Sequence, residues 1–280
     1  MSFNYSDLLN TIDYLLTIPK GFMNISSLKT TNLQDYENVV SGVIMNYTDE
    51  ILTNISENFM YGMQIDNGVI QTRYGENITI GNDNVNQILS SYDPNCKFSL
   101  WKAEFTIDAE FGFPTKTAIN RNISNIIDYV QTSQQNNILP IVHLDFNVDK
   151  VTNNKITGHI MREVISKMFR EFAKSDIMFD VLLLVINPVY SNNRNSELAN
   201  DELENIEDIS LMTFRIIQDV VPASVPGIII SPSKLNHQDY IGIMKTMLSI
   251  DTVKPWKISF MIDSSSASLS EISDYLSIIN

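Results

Sequence analysis

Val181-Leu182-Leu183-Leu184-Val185-Ile186-Asn187 is an unbroken apolar run closed by an asparagine. A strand with one wet face alternates polar and apolar side chains, so a continuous run describes a strand covered on both faces, as in a parallel sheet. The flanks agree. Upstream, Ile160, Val164, Ile165, Met168, Phe169 and Phe172 fall on one face of a helix, and downstream Ile209, Met212, Ile216, Ile217 and Val220 do the same. The polar stretch Ser191 to Glu204 between them reads as an exposed loop leading into a helix. The strand–helix alternation continues in both directions, with strands expected at Gly21–Asn24, Gly42–Met45, Tyr61–Asp66, Trp101–Ile107, Leu139–Asp145, Gly227–Ser231 and Lys257–Ile262. Eight strands in this order favour a closed barrel over an open sheet. The fold class expected is therefore α/β, a (β/α)8 TIM barrel forming a single domain over residues 1–280. A short amphipathic helix over 6–17, with Leu8, Ile12, Leu15 and Leu16 on one side, precedes it.

Composition narrows the partners. The formal charge of −14 disfavours nucleic acid and anionic membranes, which recruit clustered Lys and Arg. It also weighs against substrates carrying two phosphates; its plainest meaning is solubility. No apolar run approaches the ~18 residues of a membrane span, and the N-terminus lacks the basic region and cleavage site of a signal peptide. One cysteine, Cys96, leaves no disulfide framework and no cysteine metal cluster. The sequons at Asn24, Asn46, Asn54, Asn77 and Asn122 then read as a by-product of an Asn-rich composition in an intracellular chain. Nucleotide-binding glycine loops, zinc motifs and nucleophile elbows are all missing from the sequence, so no cofactor or metal is expected.

Several segments, in order, carry a resemblance. Gly62-Met63-Gln64-Ile65-Asp66-Asn67-Gly68-Val69 is similar to G-I-K-V-D-K-G-V, and a Gly75-Glu76 segment with Thr79 and Gly81 follows it. Trp101 opens a strand like K-W-R, and Gln135 to Val142 is similar to Q-x-N-G-L-V-P-I-V. Val221-Pro222-Ala223-Ser224-Val225-Pro226-Gly227-Ile228 nearly repeats V-P-x-A-V-P-G-I, and Lys254-Pro255-Trp256-Lys257-Ile258-Ser259-Phe260 follows K-P-W-x-L-T-F. Together, from about Lys20 to Ser266, the chain resembles the class I fructose-bisphosphate aldolases. The resemblance implies an aldolase-type barrel, ending near the helix after the eighth strand without the family's mobile tail.

The same resemblance implies that aldolase chemistry is lost. That chemistry needs an amine to attack a ketone and form a Schiff base. The family's lysine, in an L-L-K-P-N strand, falls on Val185. The acid after the first strand falls on Ser26, and the lysines of the third and fourth strands on Gln64 and Leu100. The two glutamates of the fifth strand fall on His143 and Asp145, and the arginine after the eighth on Ser264. The glycine-rich phosphate turn reads Ser231-Pro232-Ser233-Lys234-Leu235-Asn236; Pro232 lacks an N–H to offer a phosphate, and the glycines are gone.

His143 and Asp145 share one face of a strand, and Asp66 and Glu104 are placed to point into the same barrel. They form either a hydrogen-bonded polar plug or a rebuilt pocket for acid–base work or a small ligand. His159 and His237 read as surface residues. The expectation is a catalytically inactive scaffold or assembly protein, its partners other proteins or itself, with no nucleic acid, membrane insertion or sugar bisphosphate. The alternative is an enzyme or small-molecule binder around His143, Asp145 and Asp66. A larger assembly, with a DNA virus of a eukaryote as one origin, is part of the first expectation, so the location expected is the cytoplasm or a virion.

Overall fold

Strands buried on both faces need a layer of helices outside and side chains inside, and the chain meets both needs by closing on itself. The computed structural model of the chain describes residues 4–16, 20–25, 33–47, 58–91, 93, 95–148, 152–191, 205–263 and 271–279. Its strands are β1 (Gly21–Asn24), β2 (Val40–Asn46), β3 (Met60–Gln64), β4 (Val69–Gln71), β5 (Asn77–Thr79), β6 (Cys96–Ile107), β7 (Leu139–Val148), β8 (Leu183–Ile186), β9 (Gly227–Ile230) and β10 (Lys257–Asp263). Its helices are α1 (Tyr5–Leu15), α2 (Val85–Ser90), α3 (Lys116–Gln135), α4 (Asn154–Phe172), α5 (Ile206–Val220), α6 (His237–Ser249) and α7 (Ile272–Ile279). Eight strands close a barrel in the order β1-β10-β9-β8-β7-β6-β3-β2, and every neighbouring pair is parallel. The expected (β/α)8 barrel is present, and all eight expected strands lie in it.

The helices begin where polar side chains can hold their free N–H groups. Thr115 caps α3, Asn153 caps α4, Asn205 caps α5 and Asn236 caps α6, each accepting a backbone N–H from the first turn. The faces foreseen on α4 and α5 are the buried ones, including Val164, Ile165, Met168, Ile209, Ile216 and Ile217. These pack on the outward side chains of the strands as one large core.

A second apolar cluster fills the barrel itself. Phe22, Ile44, Phe98, Leu100, Leu139, Ile141, Leu183, Val185, Ile229 and Met261 meet inside it. Leu8, Ile12, Leu15 and Leu16 of the α1 region close it from below. The N-terminal helix foreseen over 6–17 runs over Tyr5–Leu15, and its apolar side is the stopper of the barrel.

The strand expected over Val181–Asn187 is confined to Leu183–Ile186, since Val181 ends a 3-10 turn, and β6 begins at Cys96, ahead of Trp101. Two further departures shape the mouth of the barrel. β3 ends at Gln64 rather than Asp66, so the upper half of β6 has no strand beside it on that edge. The antiparallel hairpin β4–β5 covers it; the sequence does not reveal this hairpin because each run is only three residues long, too short to carry a period. Thr79 Oγ1 donates to the Lys102 carbonyl (3.2 Å) and accepts the Glu104 N–H (3.0 Å), while Asn122 Nδ2 donates to the Glu104 carbonyl (2.9 Å). The polar stretch 192–204 lies outside the described residues.

Candidate functional site

The register fixes which residues face inward. His143 pairs with Lys102 on one side and Val185 on the other, and Asp145 pairs with Glu104. β6 has twelve residues and β7 ten, against four each in β8 and β9. The β6–β7 wall therefore rises above the rest and carries Lys102, Glu104, His143, Asp145 and Asn147 around the C-terminal mouth, where barrel proteins place their chemistry. A cavity of about 550 Å³ opens there. Asn24, Gln64, Ser231 and Asp263 complete its polar lining, the turn Pro232–Lys234 forms one rim, and Ile44, Leu100 and Met261 give it an apolar floor.

β8 contributes nothing to this lining. Val185 has no exposed surface and belongs to the apolar filling. Asn187, just past the end of β8, is turned to the neighbouring strand: its Oδ1 accepts the Phe146 N–H at 2.9 Å and its Nδ2 donates to the Phe146 carbonyl at 3.3 Å. Among the described residues, the position to which the family resemblance assigns the nucleophile is dry and apolar.

Charge in the mouth is answered internally. Lys102 Nζ lies 2.8 Å from Asp145 Oδ2. Burial works against the Lys102 ammonium, but Asp145, through its charge and hydrogen bond, with Glu104 and Asp66, outweighs burial and lifts its pKa above the ordinary lysine value. Burial likewise pushes the Asp145 carboxyl up, while His143, Lys102 and Lys234 pull it further down, so it stays below the ordinary carboxylate range. Glu104 accepts hydrogen bonds from the amides of Asn77 and Asn147, the latter at 3.0 Å, and Lys234 donates to Asn147 Oδ1.

His143 is the exception. It is 6% exposed, and burial pushes its pKa down to about 4, with Lys102 adding to the effect and Asp145 opposing it. The ring is neutral at pH 7, and its Nε2 finds no hydrogen-bond partner among the described residues. A buried polar nitrogen left unpaired costs roughly 1–3 kcal/mol.

His143, Asp145 and Glu104 thus meet at the mouth as expected, but Asp66 does not join them. Placed just past the end of β3, it takes the Lys102 N–H at 2.9 Å, the Gly68 N–H at 3.2 Å and the Gln64 amide at 3.0 Å. Burial raises its pKa against those donors. It serves the uncovered edge of β6 instead of the cavity, because β3 is too short to do so. Of the positions matched to aldolase residues, Gln64, Leu100 and His143 line the cavity, Val185 does not, and Ser26 and Ser264 lie outside the described residues. The turn Pro232, Ser233, Lys234 reaches the rim, with Ser233 held at φ 49°. The helix α6 that follows is capped from within by Asn236, whose Oδ1 accepts the Asp239 N–H at 2.9 Å. His159 is exposed as expected. His237 is only partly exposed: its ring sits between α6 and α7, lies 3.1 Å from Asp274 and packs on Tyr275. Lys102, Asn24, Asn147 and Asp263 were not foreseen. Lys102 could have been, since it alternates with Leu100 and Glu104 on one face of β6. No group of three or more metal-binding side chains occurs among the described residues, and no helix among them is long and apolar enough to cross a membrane.

Comparison with known proteins matches this barrel to one family. The family model for glycolytic class I fructose-bisphosphate aldolase aligns with residues 28–269. Cytosolic fructose-bisphosphate aldolase 6 of Arabidopsis thaliana is 24% identical over 202 residues, 71% of this chain and 54% of that protein. Cytosolic aldolase 4 of the same plant is 21% identical over 251 residues, 89% of this chain and 61% of that one. The fructose-bisphosphate aldolase of Encephalitozoon cuniculi is 22% identical over 200 residues, covering 71% and 57%. The chain thus spans little more than half the length of the curated relatives it matches. The fructose-bisphosphate aldolase of Plasmodium falciparum, solved in complex with TRAP and a small-molecule inhibitor, superposes with a TM-score of 0.80 at 17% identity. That match covers 98% of this chain and 90% of the other and establishes a common fold.

Proposed function

The chain belongs to the class I fructose-bisphosphate aldolase family, and from that premise we propose that it is a member without aldolase activity, using the barrel as a scaffold for protein association. One observation carries the first half. Strand β8 supplies no side chain to the mouth, and Val185 stands where the family resemblance assigns the lysine. An amine attacks a ketone only when unprotonated. Lys102 lines the cavity, but Asp145 at 2.8 Å favours its charged form. Borohydride reduction in the presence of a ketose phosphate should leave the protein mass unchanged; a reduced adduct on any lysine overturns the proposal.

Support for the scaffold comes from the hairpin side of the barrel. Val69, Ile70 and Tyr74 of the β4–β5 hairpin region are exposed, as is Phe111, which stacks on Phe113 at 5.9 Å. All three β4 residues are exposed, and an apolar edge of this kind is a surface on which strands of another chain can pair. The partner we propose is a second copy of this chain, joined edge to edge through β4. Light scattering should find an oligomer that Ile70→Lys disperses; a monomeric wild type refutes it. The family members compared include cytosolic enzymes, and we place this protein in the cytoplasm or, as a component of a larger assembly, in a virion. A second reading, a small-molecule binder, is favoured by the polar cavity and the unpaired nitrogen of His143.

A further inference from the structure

The mouth cavity has a chemistry that differs from a phosphate site. Three lining carboxylates, Glu104, Asp145 and Asp263, face two lysines, Lys102 and Lys234. Asp145 already lies against Lys102 at 2.8 Å and is within electrostatic reach of Lys234. An entering anion would have to displace it and would come up against the negative charge of the other two carboxylates. At the rim Pro232 has no N–H to offer an anion, and the first turn of α6 is occupied by its own Asn236 and Asp239.

The need the cavity leaves unmet is at His143. The side chain is 94% buried in place, it lines the cavity, and its Nε2 has no partner among the described residues. In one tautomer of the neutral ring this nitrogen donates and in the other it accepts. A hydroxyl satisfies either. Around it stand groups suited to further hydroxyls: the amides of Asn24 and Gln64, the Ser231 hydroxyl and the Asp263 carboxylate. Ile44, Leu100 and Met261 offer an apolar floor for carbon-bound hydrogens. A volume of about 550 Å³ lies within the range of small-molecule pockets.

We propose that this cavity binds an uncharged, polyhydroxylated small molecule through His143, and that Asp145 excludes anionic ones by neutralising Lys102 and Lys234. The proposal rests on the second reading above and is independent of the borohydride result, which concerns covalent chemistry. Saturation-transfer NMR with xylitol and with inorganic phosphate tests it. Xylitol signals should respond to the wild-type protein with millimolar affinity, as suits a ligand of few atoms, and excess phosphate should not displace them. His143→Leu should weaken the response about tenfold, the effect of one buried hydrogen bond, with circular dichroism verifying that the barrel is intact. Asp145→Asn should gain phosphate binding, because the two lysines lose their internal counter-ion. Absence of a xylitol response, or its displacement by phosphate in the wild type, overturns the proposal whatever the variants do.

Discussion

Acid should weaken this fold through a single ring. His143 is neutral in the folded protein because burial pushes its pKa from the ordinary 6.5 down to about 4. In the unfolded chain it regains the ordinary value. Between those two values the unfolded state holds the extra proton, so lowering the pH draws the equilibrium toward unfolding. Stability is therefore complete above pH 6.5 and falls as the pH drops toward 4. Moving from pH 7 to pH 5 should remove about 2 kcal/mol at this residue alone. Asp145, whose folded pKa is depressed, adds its loss only at more acid pH, below the ordinary carboxylate value of 3.8. Asp66, whose folded pKa is raised, works in the opposite direction near that value. Both remain in a His143→Gln variant, so the difference between the two proteins reads the ring together with its pull on Asp145. Urea unfolding followed by circular dichroism at pH 7 and pH 5 should show wild type losing about 2 kcal/mol more than the variant. Parallel losses would refute the reasoning, and so would a His143 Cε1 proton resonance titrating at or above 6.5, since either means that Asp145 holds the imidazolium in place.

Three further substitutions probe the parts of the barrel that make the site. Lys102→Met leaves Asp145 buried without its partner; with the lysine side chain 38% exposed, the loss should be about 1–3 kcal/mol in urea titrations, partly recovered by adding Asp145→Asn. Gly62→Ala places a methyl on the Phe98 ring and 2.5 Å from its carbonyl oxygen, so thermal unfolding should report a loss of about 3 kcal/mol or no soluble protein. Leu15→Ala opens the stopper under the barrel, where Leu15 has no exposed surface, and should cost about 3 kcal/mol by urea titration.

The contrast between β8 and β6 shows what a sequence carries. Val181 to Asn187 is legible because burial on both faces leaves a continuous apolar run, and its flanking helices leave a period. The apolar residue at the position to which the family resemblance assigns the lysine is legible for the same reason, since Val185 follows from the strand it belongs to. Lys102 lies two residues beyond Leu100 on the same strand face, but nothing local indicates that β6 outruns its neighbours. Asp66 fails in the reverse sense: it sits beside the right strand, but β3 stops short and the backbone of β6 claims its carboxylate. His237 is partly covered because α7 returns to α6 across the end of the barrel.

By itself, then, the sequence determined the barrel, the order of its strands, the family resemblance and the apolar residue where a nucleophile is expected. These depend on short-range periodicity and on side-chain identity, both of which are written along the chain. Only the tertiary structure decided what the mouth contains. The pairing of Lys102 with Asp145, the unpaired nitrogen of His143 and the excess of carboxylates over lysines arise where strand ends from distant parts of the chain converge. That convergence is set by register, strand length and the hairpin covering β6, which are properties of the closed sheet and not of any one segment.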